Sequence, residues 1–253
     1  MHMIHETRLI FWSHLRANLR NPAWAVIMLM QPLLYLVLFG PLLENLGGAY
    51  ADGSDPWLVF TPGMVLMIAL FGSAFAGFGL VAELRSGVVE RQRVTPASRN
   101  ALLLGRVAKD MTVLVAQAVV LIGIAIAAFG VRPDPLGMVA TLALVALVGV
   151  AFASASYALA LKTRSEDGMA STLNSLTVPL LLLSGILLPM TLAPGWLEAL
   201  SRINPLSHTV DAVRAMFASR FDTAEVVTGT LVTLAFAVVL GYVGTRTFQR
   251  ENA

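Results

Sequence analysis

Six stretches of this chain are apolar for about the 20 residues that a helix needs to cross the hydrocarbon core of a bilayer. They run roughly from Ala23 to Leu43, Trp57 to Ala82, Val107 to Val131, Pro135 to Leu161, Met169 to Leu192 and Ala224 to Phe248. Backbone N–H and C=O groups in lipid must be satisfied within the segment, so each stretch is read as an α-helix. The rest of the composition agrees, because 57% hydrophobic and 13% charged residues leave too little polar surface to wrap a soluble globule of 253 residues. Asn21-Pro22 and Asp134-Pro135 each set a capping side chain before a proline, whose missing N–H costs nothing in a first helical turn. Pro62, Pro179 and Pro189 fall inside or near the ends of apolar runs and are expected to kink or break them. The fold class is an all-α integral membrane protein, a single transmembrane domain over residues 1–253.

Orientation follows from basic residues in the loops. Arg8, Arg16 and Arg20, the six from Arg85 to Lys109, then Lys162, Arg164, Arg246 and Arg250 make thirteen on one side, against Arg132, Arg202, Arg214 and Arg220 on the other. Both termini are therefore expected in the cytoplasm, with the chain multi-pass in the cell (inner or plasma) membrane. Glu6, Arg8, His14, Arg16 and Arg20 interrupt the first twenty residues, which argues against a cleavable leader.

Two segments neither span nor simply connect. Residues 1–22 set Ile4, Ile10 or Phe11, Leu15 and Leu19 against Arg8, Arg16 and Arg20, the pattern of an amphipathic helix lying along the cytoplasmic interface. Residues 193–223 are too polar to span, yet carry Trp196, Leu197, Leu200, Ile203 and Leu206 at helical spacing. They are read as short re-entrant or capping helices on the outer face, before the last span.

Most chemistry is excluded. No Gly-Lys pair exists to hold a nucleotide phosphate, since Lys109 and Lys162 follow Ala108 and Leu161. There is no HExxH motif, no GxSxG elbow and no cysteine, and His2, His5, His14 and His208 make no ligand cluster. No catalytic residue, metal site or cofactor is assigned to the chain. An ion-coupled carrier places titratable groups at mid-membrane. Here Asp110 sits one turn inside the third span and Glu225 at the end of the sixth, so the energy for any transport comes from elsewhere.

Between the second and third spans, the element 83–100 interleaves acids with bases: Glu83, Arg85, Gly87, Glu90, Arg91, Thr95, Pro96, Ser98, Arg99, with Gly105-Arg106 beyond. A plain positive anchor scatters Lys and Arg. Acids among them point to a folded cytosolic element docked on protein, with Glu83 and Glu90 on one helical face and basic or N–H partners on protein, the chain's own N-terminal helix among them. Together with Asn204-Pro205-Leu206 and Asp211-Ala212-Val213-Arg214 downstream, these residues resemble the permease subunit of an ATP-binding-cassette exporter of the ABC-2 type, and within it the daunorubicin-resistance DrrB-like permeases. The resemblance extends over nearly the whole chain. It implies a separate ATPase subunit holding ATP and Mg, a second permease copy, and transport of a drug, antibiotic or lipid-like compound out of the cell. It further implies that Glu83, Arg85, Gly87, Glu90, Arg91, Thr95, Pro96 and Arg99 form the coupling helix, and that Asn204, Pro205, Asp211 and Arg214 belong to an outer gate.

Phe71, Phe75 and Phe78 share a face of the second span beside Gly72, Gly77 and Gly79, and with Gln117 and Asn174 they are candidate pathway residues. Helix packing through the glycines and interhelical hydrogen bonding by Gln117, Asn174, Ser154, Ser156 and Tyr157 are the competing readings. Export of lipo-oligosaccharide or polysaccharide by the same fold, and a membrane assembly protein that transports nothing, are the alternative functions.

Overall fold

The computed structural model describes residues 2–45, 55–87 and 99–251, and among them every regular element is helical. The first helix, α1 (His2–Arg20), turns at Asn21-Pro22 into α2 (Ala23–Asn45). Asp55 caps α3 (Pro56–Ala74) by accepting the Trp57 N–H at 3.0 Å, with Pro56 in the first turn. α4 (Gly77–Arg85) continues the second apolar run, and α5 (Arg99–Phe129) is the third. Asp134 caps α6 (Pro135–Thr163) through the Gly137 N–H at 2.7 Å, as its Asp-Pro pair predicts. α7 (Glu166–Leu183), α8 (Gly195–Ser201), α9 (Pro205–Phe217) and α10 (Ala224–Glu251) complete the bundle.

Five of these stretches are long and apolar enough to cross a bilayer, where six are expected from sequence. The fifth expected span, Met169 to Leu192, is interrupted. Its helix opens with Glu166 and Asp167 and stops at Leu183, because Gly185 takes a left-handed conformation (φ 76°) and a single 3₁₀ turn, Met190–Leu192, follows Pro189. The second span also departs from expectation. Pro62 sits inside an unbroken α3, and the interruption comes at Phe75-Ala76 instead. There the Ser156 hydroxyl of α6 enters the backbone ladder, donating to the Ala74 carbonyl and accepting the Gly77 N–H at 2.9 Å. A side chain inserted into the i→i−4 ladder is a recognised cause of a helix break.

α3 is the central helix, buried continuously from Phe60 to Leu70. α2 packs on α3, and α10 on α6 and α9, each leaving an exposed apolar face, with Val26, Ile27, Leu38, Leu231, Val238 and Val239 among the exposed side chains. That is the inside-out polarity of a bundle solvated by lipid rather than water. α9 inserts into this bundle against α3, α6 and α10. Its C-terminal end meets α6 backbone to backbone: a Cβ added at Gly137 would stand 1.8 Å from the Met216 carbonyl oxygen.

Candidate functional site

Charged side chains gather where α1, α4, α5 and α6 meet. α4 ends in a glycine cap, with the Ser86 N–H bonded to Ala82 O at 3.0 Å, the Gly87 N–H to Leu84 O at 3.3 Å, and Gly87 left-handed at φ 72°. Glu83 lies in the last turn before that cap. One of its oxygens is 2.5 Å from the Arg106 guanidinium of α5, and the other is 3.7 Å from His14 Nδ1 of α1. The Arg106 side chain is only 4% exposed, so the pair is held away from solvent. One turn further along α5, Lys109 pairs with Asp110, which also accepts the hydroxyl of the buried Tyr157 on α6.

α1 reaches this junction because Gly105 lets it approach: a Cβ there would be 2.6 Å from Ile10 Cγ2 and 3.1 Å from the Thr7 carbonyl. Burial, together with the Arg106 charge beside it, holds His14 below the usual imidazole range, so it is neutral at pH 7. The ion pair that closes the junction is therefore Glu83–Arg106, with His14 packed alongside. A second, half-exposed pair, Arg85–Glu166 at 3.1 Å, ties the end of α4 to the first turn of α7.

Beside the junction a cavity of about 510 Å³ opens between α2, the α3–α4 break, α5 and the start of α7. Phe75 and Phe78 line one wall, Trp24 and Met28 another, and Asp110, Gln117 and Glu166 supply polar edges. Phe71, Phe75 and Phe78 stack in series, their centroids 6.3 and 5.5 Å apart and their planes inclined by 16° and 14°. Their i, i+4, i+7 spacing keeps the three rings on one face across the break at Phe75-Ala76. Gln117 Nε2 donates to the Ala25 carbonyl at 2.6 Å and so pins the start of α2 to α5.

At the other end of the bundle, Asn204 caps α9 by accepting the Leu206 N–H at 3.0 Å, while its amide donates to the Leu180 carbonyl at 2.9 Å. Arg214 is buried and donates to the carbonyls of Val59 at 3.0 Å and Gly185 at 2.8 Å. It thus bonds α9 to α3 and to the turn that ends α7. Thr209 and Thr233 share a hydrogen bond at 2.7 Å between α9 and α10.

The structure brings together Phe75, Phe78 and Gln117 in one cavity, with Phe71 stacked behind, and leaves Asn174 exposed on α7 away from them. Glu83, Arg85 and Gly87 lie at the end of α4; Glu90, Arg91, Thr95 and Pro96 fall outside the described residues, and Arg99 begins α5. The helix that would carry Glu83 and Glu90 on one face stops at Arg85, because Gly87 serves as a left-handed cap. Asn204 and Arg214 both bind backbone in the bundle, Pro205 opens α9, and Asp211 is exposed. Sequence reading alone gives His14 no site role, and it places Arg106 in the motif without assigning it a partner. The signal for Arg106 was its place two residues into the run that follows Leu104, where an unpaired charge is expensive.

The profile of the family described as ABC-2 type transporter matches residues 5–218. Among curated relatives, the daunorubicin resistance ABC transporter permease protein DrrB1 of Streptomyces coeruleorubidus is 25% identical over 247 residues, covering 96% of this chain and 85% of the relative. The putative transport permease ycf38 of Cyanophora paradoxa is 26% identical over 78% of this chain and 69% of its own. Nodulation protein J of Rhizobium leguminosarum bv. trifolii is 29% identical over 74% and 71% respectively.

Proposed function

The chain belongs to the ABC-2 type transporter family, and from that premise we propose that it is the membrane permease of an exporter driven by a separate ATPase subunit. ATP and Mg belong to that partner. The substrate is a hydrophobic or amphipathic compound, in keeping with the drug-resistance name of the Streptomyces relative and with a cavity walled by Phe75, Phe78 and Trp24. Both termini and the 83–100 element face the cytoplasm, where the ATPase docks. Residues 193–223 stand at the outer end as the gate.

The observation that carries this reading is the junction at the end of α4. The segment leading into 83–100 is tied by Glu83 to α5 and α1 and by Arg85 to α7, so a displacement of the element reaches three neighbouring helices at once. α4 is joined to α3 across the break bridged by Ser156, which lets it turn while α3 stays seated in the core. Turning α4 moves Phe78 against Phe75 and alters the cavity wall. Closure of the ATPase dimer is thereby converted into a change of access, the permease acting as a two-state element biased by another subunit.

A second copy of the chain is part of the proposal. Ser171, Asn174 and Ser175 form an exposed polar strip on α7, which is costly against lipid and satisfied against protein or a water-filled path. Reconstitution of the chain with its cognate ATPase in vesicles tests the reading: ATP-dependent efflux is expected only from the pair. ATP turnover by the chain alone, or transport that survives ATP depletion and collapses with an ion gradient, refutes it.

A further inference from the structure

The N-terminal helix has two faces, and only one of them is used by the bundle. Thr7, Ile10, Phe11, His14, Leu15 and Asn18 are at least partly buried on the side toward α5 and the charged junction. At 3.6 residues per turn, Arg8, Leu19, Trp12, Arg16, Leu9 and Arg20 fall within about 120° of the opposite side. All six are exposed, Trp12 by 48%, Leu9 by 57% and Leu19 by 68%. Three guanidinium groups thus stand among three large apolar side chains, and no acid lies in the arc.

We propose that this face is a binding site for anionic phospholipid headgroups. α1 passes through Asn21 and Pro22 directly into α2, which is long and apolar enough to span, so α1 lies at the level of one membrane surface. The face opposite the bundle then looks sideways into the surrounding lipid, at headgroup depth. Trp12, Leu9 and Leu19 enter the acyl boundary there, and Arg8, Arg16 and Arg20 meet phosphate oxygens, a division of labour suited to anionic rather than zwitterionic lipid. An acidic protein surface would complement the charges but leave the three apolar side chains without a reason. The consequence reaches inward. His14 leaves the same helix on its buried side and packs on Glu83, so lipid held on the outer face fixes the inner partner of the junction.

The test uses the full chain, purified in neutral detergent and examined by native mass spectrometry with phosphatidylglycerol and phosphatidylcholine of matched acyl chains in competition. Wild type is expected to prefer phosphatidylglycerol. The preference should fall roughly fivefold per arginine removed, by the single, double and triple Arg→Gln changes at positions 8, 16 and 20. It should persist when the same three become Lys, and in Arg246→Gln/Arg250→Gln, which removes charge from the end of α10. Equal binding of the two lipids by wild type overturns the proposal, as does full preference in the triple Gln variant. So does displacement of the lipid by inorganic phosphate, which would make this a free-phosphate site. Loss of ATPase co-purification with lipid preference intact would assign the face to a protein partner instead. If the triple Gln variant does not fold, the wild-type competition and the Lys and single variants still decide. None of these readouts depends on transport, so the permease assignment stands or falls separately.

Discussion

Replacing Glu83 by Gln keeps its shape and removes its charge, leaving the Arg106 guanidinium in a pocket where it is 4% exposed. At an effective dielectric constant of about 20 and a charge separation of about 4 Å, the lost attraction is about 4 kcal/mol. Breaking a buried pair from one side costs about 3–5 kcal/mol in general. Glu83 retains 26% exposure, which puts the expectation at the lower end, about 3 kcal/mol. For a chain of this size that is roughly 6–12 °C in the midpoint of thermal unfolding, read in detergent from the four tryptophans. Glu83→Gln/Arg106→Gln removes both charges of the pair, so it should lie above the sum of the two single changes by a coupling of about 2 kcal/mol. Arg85→Gln breaks a pair whose members are 55% and 46% exposed, and such pairs contribute about 0–1 kcal/mol. It serves as the control that should hardly move. A Glu83→Gln midpoint within 2 °C of wild type (roughly the Arg85 control's range), or strict additivity in the double variant, would refute the view that this ion pair closes the junction.

Four further outcomes are expected. Ser156→Ala should lower the same midpoint by about 1–2 kcal/mol, since it strips a partner from both Ala74 O and Gly77 N–H; an unchanged midpoint would mean the break is intrinsic to α3–α4. Gly137→Val drives a side chain into the Met216 carbonyl and should cost about 3 kcal/mol, the upper range for overpacking, seen as protease cleavage near α9 that wild type resists. Because His14 is held below its ordinary range when folded, the unfolded chain binds its proton first. Stability should therefore decline as pH falls through about 6.5, and His14→Gln should flatten that decline; an unaltered pH profile in the variant counts against the assignment. With no native cysteine to interfere, Arg132→Cys should react with an impermeant maleimide added outside intact cells and Lys162→Cys should not; the reverse pattern inverts the topology.

What could be read from the sequence was whatever a few neighbouring residues decide. The start of α6 follows from Asp134-Pro135, whose cap needs nothing from elsewhere. The break in the second span could not be read that way, because its cause is a serine 79 residues further along the chain, and Pro62 drew the expectation to the wrong turn. Met169 to Leu192 looked like a full span since apolarity says nothing about Gly185, whose left-handed turn ends the helix early. Acids within a basic stretch pointed to partners for Glu83 on an ATPase or on the N-terminal helix, whereas within this chain its ion pair is made with α5. That the partner is Arg106, with His14 beside it, depends on how closely α1 settles on Gly105, a tertiary distance with no local signature.

The placement of α9 dictates the order in which this protein is built. Thirteen residues make a helix of about 20 Å, too short to cross a bilayer, and with Arg214 on its buried side it has no stable position in lipid by itself. α3, by contrast, is apolar enough to enter the bilayer before the helices that later surround it have been synthesised. Assembly is then a two-stage affair: the apolar helices insert first, and α9 is threaded in only when α3 and the turn at Gly185 offer carbonyls to Arg214. A nascent chain arrested before residue 205 should already resist extraction from the membrane while its α3–α7 contacts remain loose, as crosslinking between Val59 and Gly185 would register. This short buried helix, seated only after the apolar spans, acts as the keystone of the bundle, so lesions in it should appear as failures of maturation rather than of insertion.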